Sequence, residues 1–121
     1  GVISVADPKS NIDIYFGIGG GPEGVLSAAA LSCLDCQMQT RLSFQNEDER
    51  NRSRNMGIED LNKKYNISDM VKGDVIFCAT GVTNGDLVKG IKDHGDSFEA
   101  ETYVLHKSSN TSKIVKNNIK K

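Results

Sequence analysis

The sequence predicts an α/β fold, with a mixed β-sheet and flanking helices in one domain over residues 1–121. Three observations lead there. The apolar run Ile12-Asp13-Ile14-Tyr15-Phe16 stops at a glycine-rich turn and passes into the helix-forming stretch VLSAAALSCL, the strand–turn–helix order of α/β proteins. A second apolar run, Asp74 to Ala79, also ends in a glycine-containing bend. Near the C-terminus, two alternating segments flank the polar break Ser108-Ser109-Asn110, which is a hairpin pattern.

Along the chain, Val2 to Ser10 reads as the end of one element and a turn at Asp7-Pro8. A strand is expected at 12–17, followed by a helix from about Pro22 to Asp35. Proline suits a first helical turn because its missing N–H would be unpaired there anyway. Met38 to Phe44 alternates and suggests a second strand. Gln45 to Asn55 (QNEDERNRSRN) places acids before bases, as the helix dipole prefers, and Met56-Gly57-Ile58 ends that helix. A short strand at Leu61–Tyr65 and a helical turn at Ile67–Val71, capped by Ser68, come next. Asp74–Ala79 is a continuous apolar run of the kind found in buried strands. It leads through Thr80–Asp86 to a helix over Leu87–Ile91, with Asp86 as its N-cap. Strands at Ala100–His106 and Ser112–Val115 form the hairpin, and the polar tail 116–121 is expected to fray.

Composition narrows the class. The chain has 121 residues, 15 Lys and Arg against 16 Asp and Glu, no tryptophan and 37% apolar residues. A domain of this size is expected to bury roughly two-thirds of its unfolded surface. A net charge of −1 gives no basic footprint for nucleic acid. No apolar run approaches the roughly 20 residues of a membrane span. Three cysteines are an odd count, which fits a reduced, cytoplasmic protein better than a disulfide framework. The sequons at Asn51, Asn66 and Asn110 are read as chance.

The richest segment is Gly17-Ile18-Gly19-Gly20-Gly21-Pro22-Glu23-Gly24. A glycine-rich turn entering a helix presents bare backbone N–H groups to phosphate. The spacing of Gly19, Gly21 and Gly24 also matches a dinucleotide-binding fingerprint. However, the second strand ends in Phe44-Gln45-Asn46 without the acid that would hold a ribose. Glu23 is a further obstacle, because it sets an anion where an anion would bind. One resolution is a divalent ion, Mg²⁺ or Mn²⁺, held by Glu23 and bridged to a phosphate on the loop amides. The other is that Glu23 simply complements its helix dipole.

GIGGGPEGVLSAAALSCLD, MGIED and DMVKGDVIFCATGVTNGDLVKGI, in that order, resemble the C-terminal region of class II fructose-1,6-bisphosphatases, the GlpX type. The resemblance covers nearly the whole chain from about Ile12. It implies the fold of the lithium-sensitive sugar phosphatases, in its C-terminal domain. It also implies metal-dependent removal of the 1-phosphate of fructose 1,6-bisphosphate, a cytoplasmic step of gluconeogenesis. The glutamate of the family's PEG motif is a metal ligand, and a glycine of its GIGG unit contacts the sugar phosphate. Those roles fall on Glu23 and Gly20, with Gly19 and Gly21 as further substrate contacts. Family members are much longer, and their other acidic ligands and an Asp-Gly-Asp substrate motif lie upstream of Gly1. The chain alone is therefore expected to hold an incomplete catalytic site, to work with the upstream half or another subunit, and to self-associate. The alternative is a stand-alone phosphate-binding or regulatory domain without catalysis.

Other candidates are read structurally. Cys33 and Cys36 form a C-x-x-C at the C-terminal end of a helix, whereas redox pairs favour the N-terminal end. Cys78 is read as a small buried strand residue. The Thr80–Asp86 bend is read as a structural turn lining the active-site side. His94 and His106 are expected at the surface, and Arg50, Arg52 and Arg54 on a solvated face. Arg41, in a strand, is the arginine best placed to meet a phosphate.

Overall fold

The computed structural model describes residues 1–121. In chain order it places a 3₁₀ helix at Val2–Ala6, α1 at Gly21–Cys33, β1 at Gln39–Arg41, α2 at Glu47–Asn55, β2 at Lys64–Asn66, α3 at Ile67–Met70, β3 at Ile76–Thr80, β4 at Lys92–Asp93, β5 at Ser97–His106 and β6 at Thr111–Lys120. The α/β composition stands, but every strand pair is antiparallel, in two separate sheets. The single mixed sheet expected from the sequence is not formed.

Local chemistry explains the helices. α1 starts at an extended Gly20, with Pro22 in its first turn. It stops where Asp35 turns left-handed at φ 54° and the Cys36 N–H reaches back to the Leu31 carbonyl at 3.1 Å, a C-terminal cap of the Schellman type. The Asn46 side chain caps α2 by accepting the Glu49 N–H at 3.0 Å. The Glu49 carboxylate in turn accepts the Gln45 N–H at 2.8 Å. Gly57 ends α2 at φ 88°, with Ile58 N–H donating to Ser53 C=O at 3.1 Å. Asn66, not Ser68, caps α3, and the Asp69 carboxylate accepts the Asn66 N–H at 2.9 Å.

β5 is the central strand of the larger sheet. One of its edges pairs with β4 and then β3. The other pairs with β6 over its whole length, from Ser97↔Lys120 to His106↔Thr111. The expected hairpin is therefore present and longer than its apolar pattern. Residues 116–120, expected to fray, continue β6 to the end of the ladder. α1 packs on this sheet: Ala30 and Cys33 meet Leu105, with Val75, Phe77 and Tyr103 around them. Leu105 is the one large side chain removed wholly from water.

Several expected strands and one helix are absent or shortened. The run 12–17 forms no strand and pairs with nothing, and Phe16 and Ile18 are 85% and 94% exposed. Met38–Phe44 contributes only β1, and Leu61–Tyr65 only the start of β2. β3 buries one face partly and exposes the other, so Cys78 faces solvent and Ile76 is exposed. Residues 87–91 are not helical, and Asp86 caps nothing. The segment 81–91 is instead a tight loop. The buried Glu101 carboxylate accepts the Lys89 N–H at 2.9 Å, and the Asn84 side chain accepts the Gly90 N–H at 3.0 Å. Glycine is required at Gly90, where a Cβ would lie 2.7 Å from the Thr83 carbonyl carbon.

The core is thin. Nine of 121 residues are buried, and the accessible surface is 8980 Å². A self-contained monomer of this mass would expose about 6,400 Å². The chain buries only roughly half of its unfolded surface, short of the two-thirds its length predicts.

Two outcomes are expected from this packing. Leu105→Ala should destabilise the chain by about 2–5 kcal/mol, and Gly90→Ala by about 1–3 kcal/mol through its backbone clash. Chemical denaturation measures both, and a Gly90→Ala curve matching the native one would refute the crossing geometry. Four carboxyls lie below their usual range: Asp74 through Ser108 and His106, Asp93 through Lys121, Asp69 through the Asn66 N–H, and Glu101 through the Lys89 N–H. Their folded pKa values lie below the unfolded ones, about 4. The stability they contribute is thus present above about pH 4 and lost as pH falls through the folded values. Melting temperature followed by circular dichroism should hold from neutrality to about pH 5 and drop on further acidification.

Candidate functional site

The glycine segment adjoins the N-terminus of α1. Gly20, the N-cap, is extended at φ −69° and ψ 156°. Gly24 N–H donates to the Gly20 carbonyl at 3.0 Å and starts the helical ladder. Upstream of that bond, the N–H groups of Gly19, Gly20, Gly21 and Glu23 carry no hydrogen bond within the chain, and Pro22 has no N–H to offer. Bare donors and the helix dipole together make a local positive end.

Glu23 occupies the first turn of α1 and is exposed. Its carboxylate has no cationic partner. It folds back against the N-cap, so a Cβ at Gly20 would collide with Glu23 Oε2. At Gly19 and Gly21, a Cβ would meet no atom within 4 Å, and neither residue has a positive φ. The backbone here is open rather than crowded. The structure thus brings Glu23 and Gly20 into contact, with Gly19 and Gly21 beside them.

A divalent ion of the magnesium or calcium kind takes about six oxygen ligands. Glu23 is a suitable hard donor, but no group of three or more His, Cys, Asp and Glu side chains gathers anywhere in the chain to hold a metal ion. The residues present supply one ligand and do not fit a complete site. A cleft of about 710 Å³ lies elsewhere: it runs between residues 1–8, the 83–88 loop, Tyr103 and Ser112, and touches α1 at Ser27 and its C-cap Leu34. Of the Thr80–Asp86 bend, Thr83, Gly85 and Asp86 line that cleft.

The remaining candidates resolve as follows. Cys33 is buried, Cys36 half-buried and Cys78 exposed, all as free thiols. Arg50 lies 5.3 Å over the Phe44 ring, and Arg54 pairs with Glu47 at 2.9 Å. Arg41 is exposed at the end of β1. His106 has partners that its sequence position does not reveal. Its Nε2 is 2.8 Å from Asp74 Oδ2, and its Nδ1 is 2.8 Å from Ser109 Oγ. Asp74 Oδ2 also accepts from Ser108 Oγ at 2.8 Å. This network ties the β5–β6 turn to the segment before β3.

No helix is long and apolar enough to cross a membrane. The profile of the family described as "Bacterial fructose-1,6-bisphosphatase, glpX-encoded" matches residues 1–119. The Escherichia coli K12 protein named fructose-1,6-bisphosphatase 1 class 2 is 41% identical over 118 residues, covering 86% of this chain and 35% of its own length. The Haemophilus influenzae protein named fructose-1,6-bisphosphatase class 2 is 37% identical with the same coverage. The chain belongs to this family and spans about a third of the length of these relatives.

Gly20 has a backbone conformation open to any residue, and the obstacle to a Cβ is only the tip of a flexible side chain. Gly20→Ala should therefore destabilise by no more than about 1 kcal/mol, the ordinary cost of alanine at an N-cap, while displacing the Glu23 carboxylate. A melt shifted far outside that range would show that the contact supports the fold.

Proposed function

We propose that this chain carries part of the active site of a fructose 1,6-bisphosphate 1-phosphatase. The reaction is metal-dependent phosphomonoester hydrolysis in cytoplasmic gluconeogenesis. Glu23 supplies one ligand to Mn²⁺ or Mg²⁺. Gly20, with Gly19 and Gly21, lets the substrate phosphate approach bare amides. The observation that supports this reading is an unpaired Glu23 carboxylate at a helix end with four unsatisfied N–H donors, beside Gly19 and Gly21, where nothing in the chain forces glycine. A cation between the carboxylate and a phosphate reconciles two anions at one helix end. The fold of the lithium-sensitive phosphatases is proposed on family grounds.

Because no group of three or more His, Cys, Asp and Glu side chains gathers around Glu23, the remaining ligands are proposed to come from polypeptide outside this chain. The upstream part of the family architecture is the proposed partner. The second reading is a phosphate-binding or regulatory domain without catalysis, and the same lack of further ligands favours it. The dinucleotide reading loses its support, since 12–17 forms no strand and no parallel pair exists.

Phosphate release from fructose 1,6-bisphosphate with Mn²⁺ distinguishes these readings. This chain alone should give no turnover above background. Mixed with a separately expressed upstream portion of a relative, it should restore activity, and Glu23→Gln should lower that activity by about 10²-fold or more. Robust Glu23-dependent turnover by the chain alone would overturn the incomplete-site proposal. A complex that forms but stays inactive would favour the binding domain.

A further inference from the structure

The β1–β2 ribbon holds two cations whose arrangement nothing in the chain explains. Its register sets Arg41 directly opposite Lys64. Directly opposed residues on an antiparallel pair have Cβ atoms about 5 Å apart, and like charges so placed are destabilising. Both residues are exposed, and neither has an ion-pair or hydrogen-bond partner. Six of the fifteen lysines and arginines sit against a carboxylate; Arg41 and Lys64 are among the nine that do not, and they are the two that a strand register sets face to face. The neighbouring Lys63 is held by Asp69 at 3.5 Å and by the Tyr65 ring at 5.0 Å, so it is not available to this face.

The same face continues two residues along each strand, where Gln39 stands opposite Asn66. Side chains two apart share one side of the pleat, so two cations and two amides lie together; Asn66 also caps α3 through its side-chain oxygen, and the nearby Asp69 carboxylate is taken up by the Asn66 N–H and by Lys63, while the two strands themselves contain no acid. An unneutralised cation pair flanked by amide donors has the chemistry of an oxyanion receptor.

We propose that this face binds a small phosphate-bearing anion, with Arg41 as a two-pronged donor to its oxygens and Lys64 as a point charge. The site is separate from the Glu23 loop and does not depend on the reading given to that loop. Free phosphate and the phosphate group of a small metabolite share this chemistry.

Amide chemical-shift titration tests the proposal, with inorganic phosphate and with glycerol 3-phosphate as probes at constant ionic strength. Saturable shifts are expected at Gln39–Arg41 and Lys64–Asn66, with none when chloride replaces phosphate. Arg41→Gln and Lys64→Gln should each weaken the apparent Kd about fivefold, and the double variant should lose binding. Tighter binding of glycerol 3-phosphate would identify a metabolite site, and equal binding a free-phosphate site. Without phosphate, each single variant should melt at or above the native temperature, because the repulsion is relieved. Shifts confined to Gly19–Glu23, unchanged affinity in the double variant, or single variants that melt well below the native chain would overturn the proposal.

Discussion

The packing of α1 on β5 through Leu105 is the contact on which the rest of this structure depends. Ala30 and Cys33 are small enough to let the helix approach the sheet, and the Cys33 thiol lies 3.7 Å from the Val75 carbonyl. Because β5 is paired on both edges, that one contact fixes the helix to every strand of the larger sheet. It anchors only the C-terminal half of α1. Val25 and Leu26, in its N-terminal half, are 45% and 58% exposed. The glycine loop and Glu23 thus project from the free end of a helix held at its other end.

Exposure at that end has an energetic consequence. The surface exceeds that of a self-contained monomer of this mass by about 2,600 Å², more than the roughly 800 Å² that one partner contributes to an ordinary interface. Ile14, Phe16 and Ile18, next to the loop, are 67%, 85% and 94% exposed. Apolar surface on this scale favours association when left in water. The exposed apolar segment and the loop proposed to hold a metal are contiguous in sequence, so one covering element would reach both.

What could be read from the sequence was local. The acid-to-base order of α2 and its glycine stop lie within a dozen residues of one another, and that helix formed as expected, with the structure adding the cap at Asn46. The β5–β6 hairpin was equally legible from its alternation and turn. The failures share one cause. Residues 12–17 and 74–79 have similar apolar content, but only the second finds a neighbouring strand, and strand content cannot reveal that. Residues 87–91 read as a helix because the anchor of the 81–91 loop, Glu101, comes later in the chain. Glu23 stood out by its charge at a helix start, whereas the Asp74–His106 pair spans 32 positions with no spacing rule to join it. Arg41 was visible as a strand arginine, but its opposition to Lys64 appears only in the register.

The glycines separate fold from function most clearly. At Gly90 the crossing backbone leaves no room for a Cβ, and at Gly57 a φ of 88° disfavours other residues. Each is explained by the fold. Gly19 and Gly21 have neither constraint, yet glycine costs the folded state about 0.5–1 kcal/mol of extra chain entropy in regular structure. Glu23 has a sufficient local reason in the helix dipole, so the acid alone carries no argument for chemistry. The unforced glycines beside it do. At Gly19 and Gly21 they keep backbone clear that no other part of this chain approaches, with only the flexible Glu23 carboxylate over Gly20 between them, which is the condition a ligand phosphate requires.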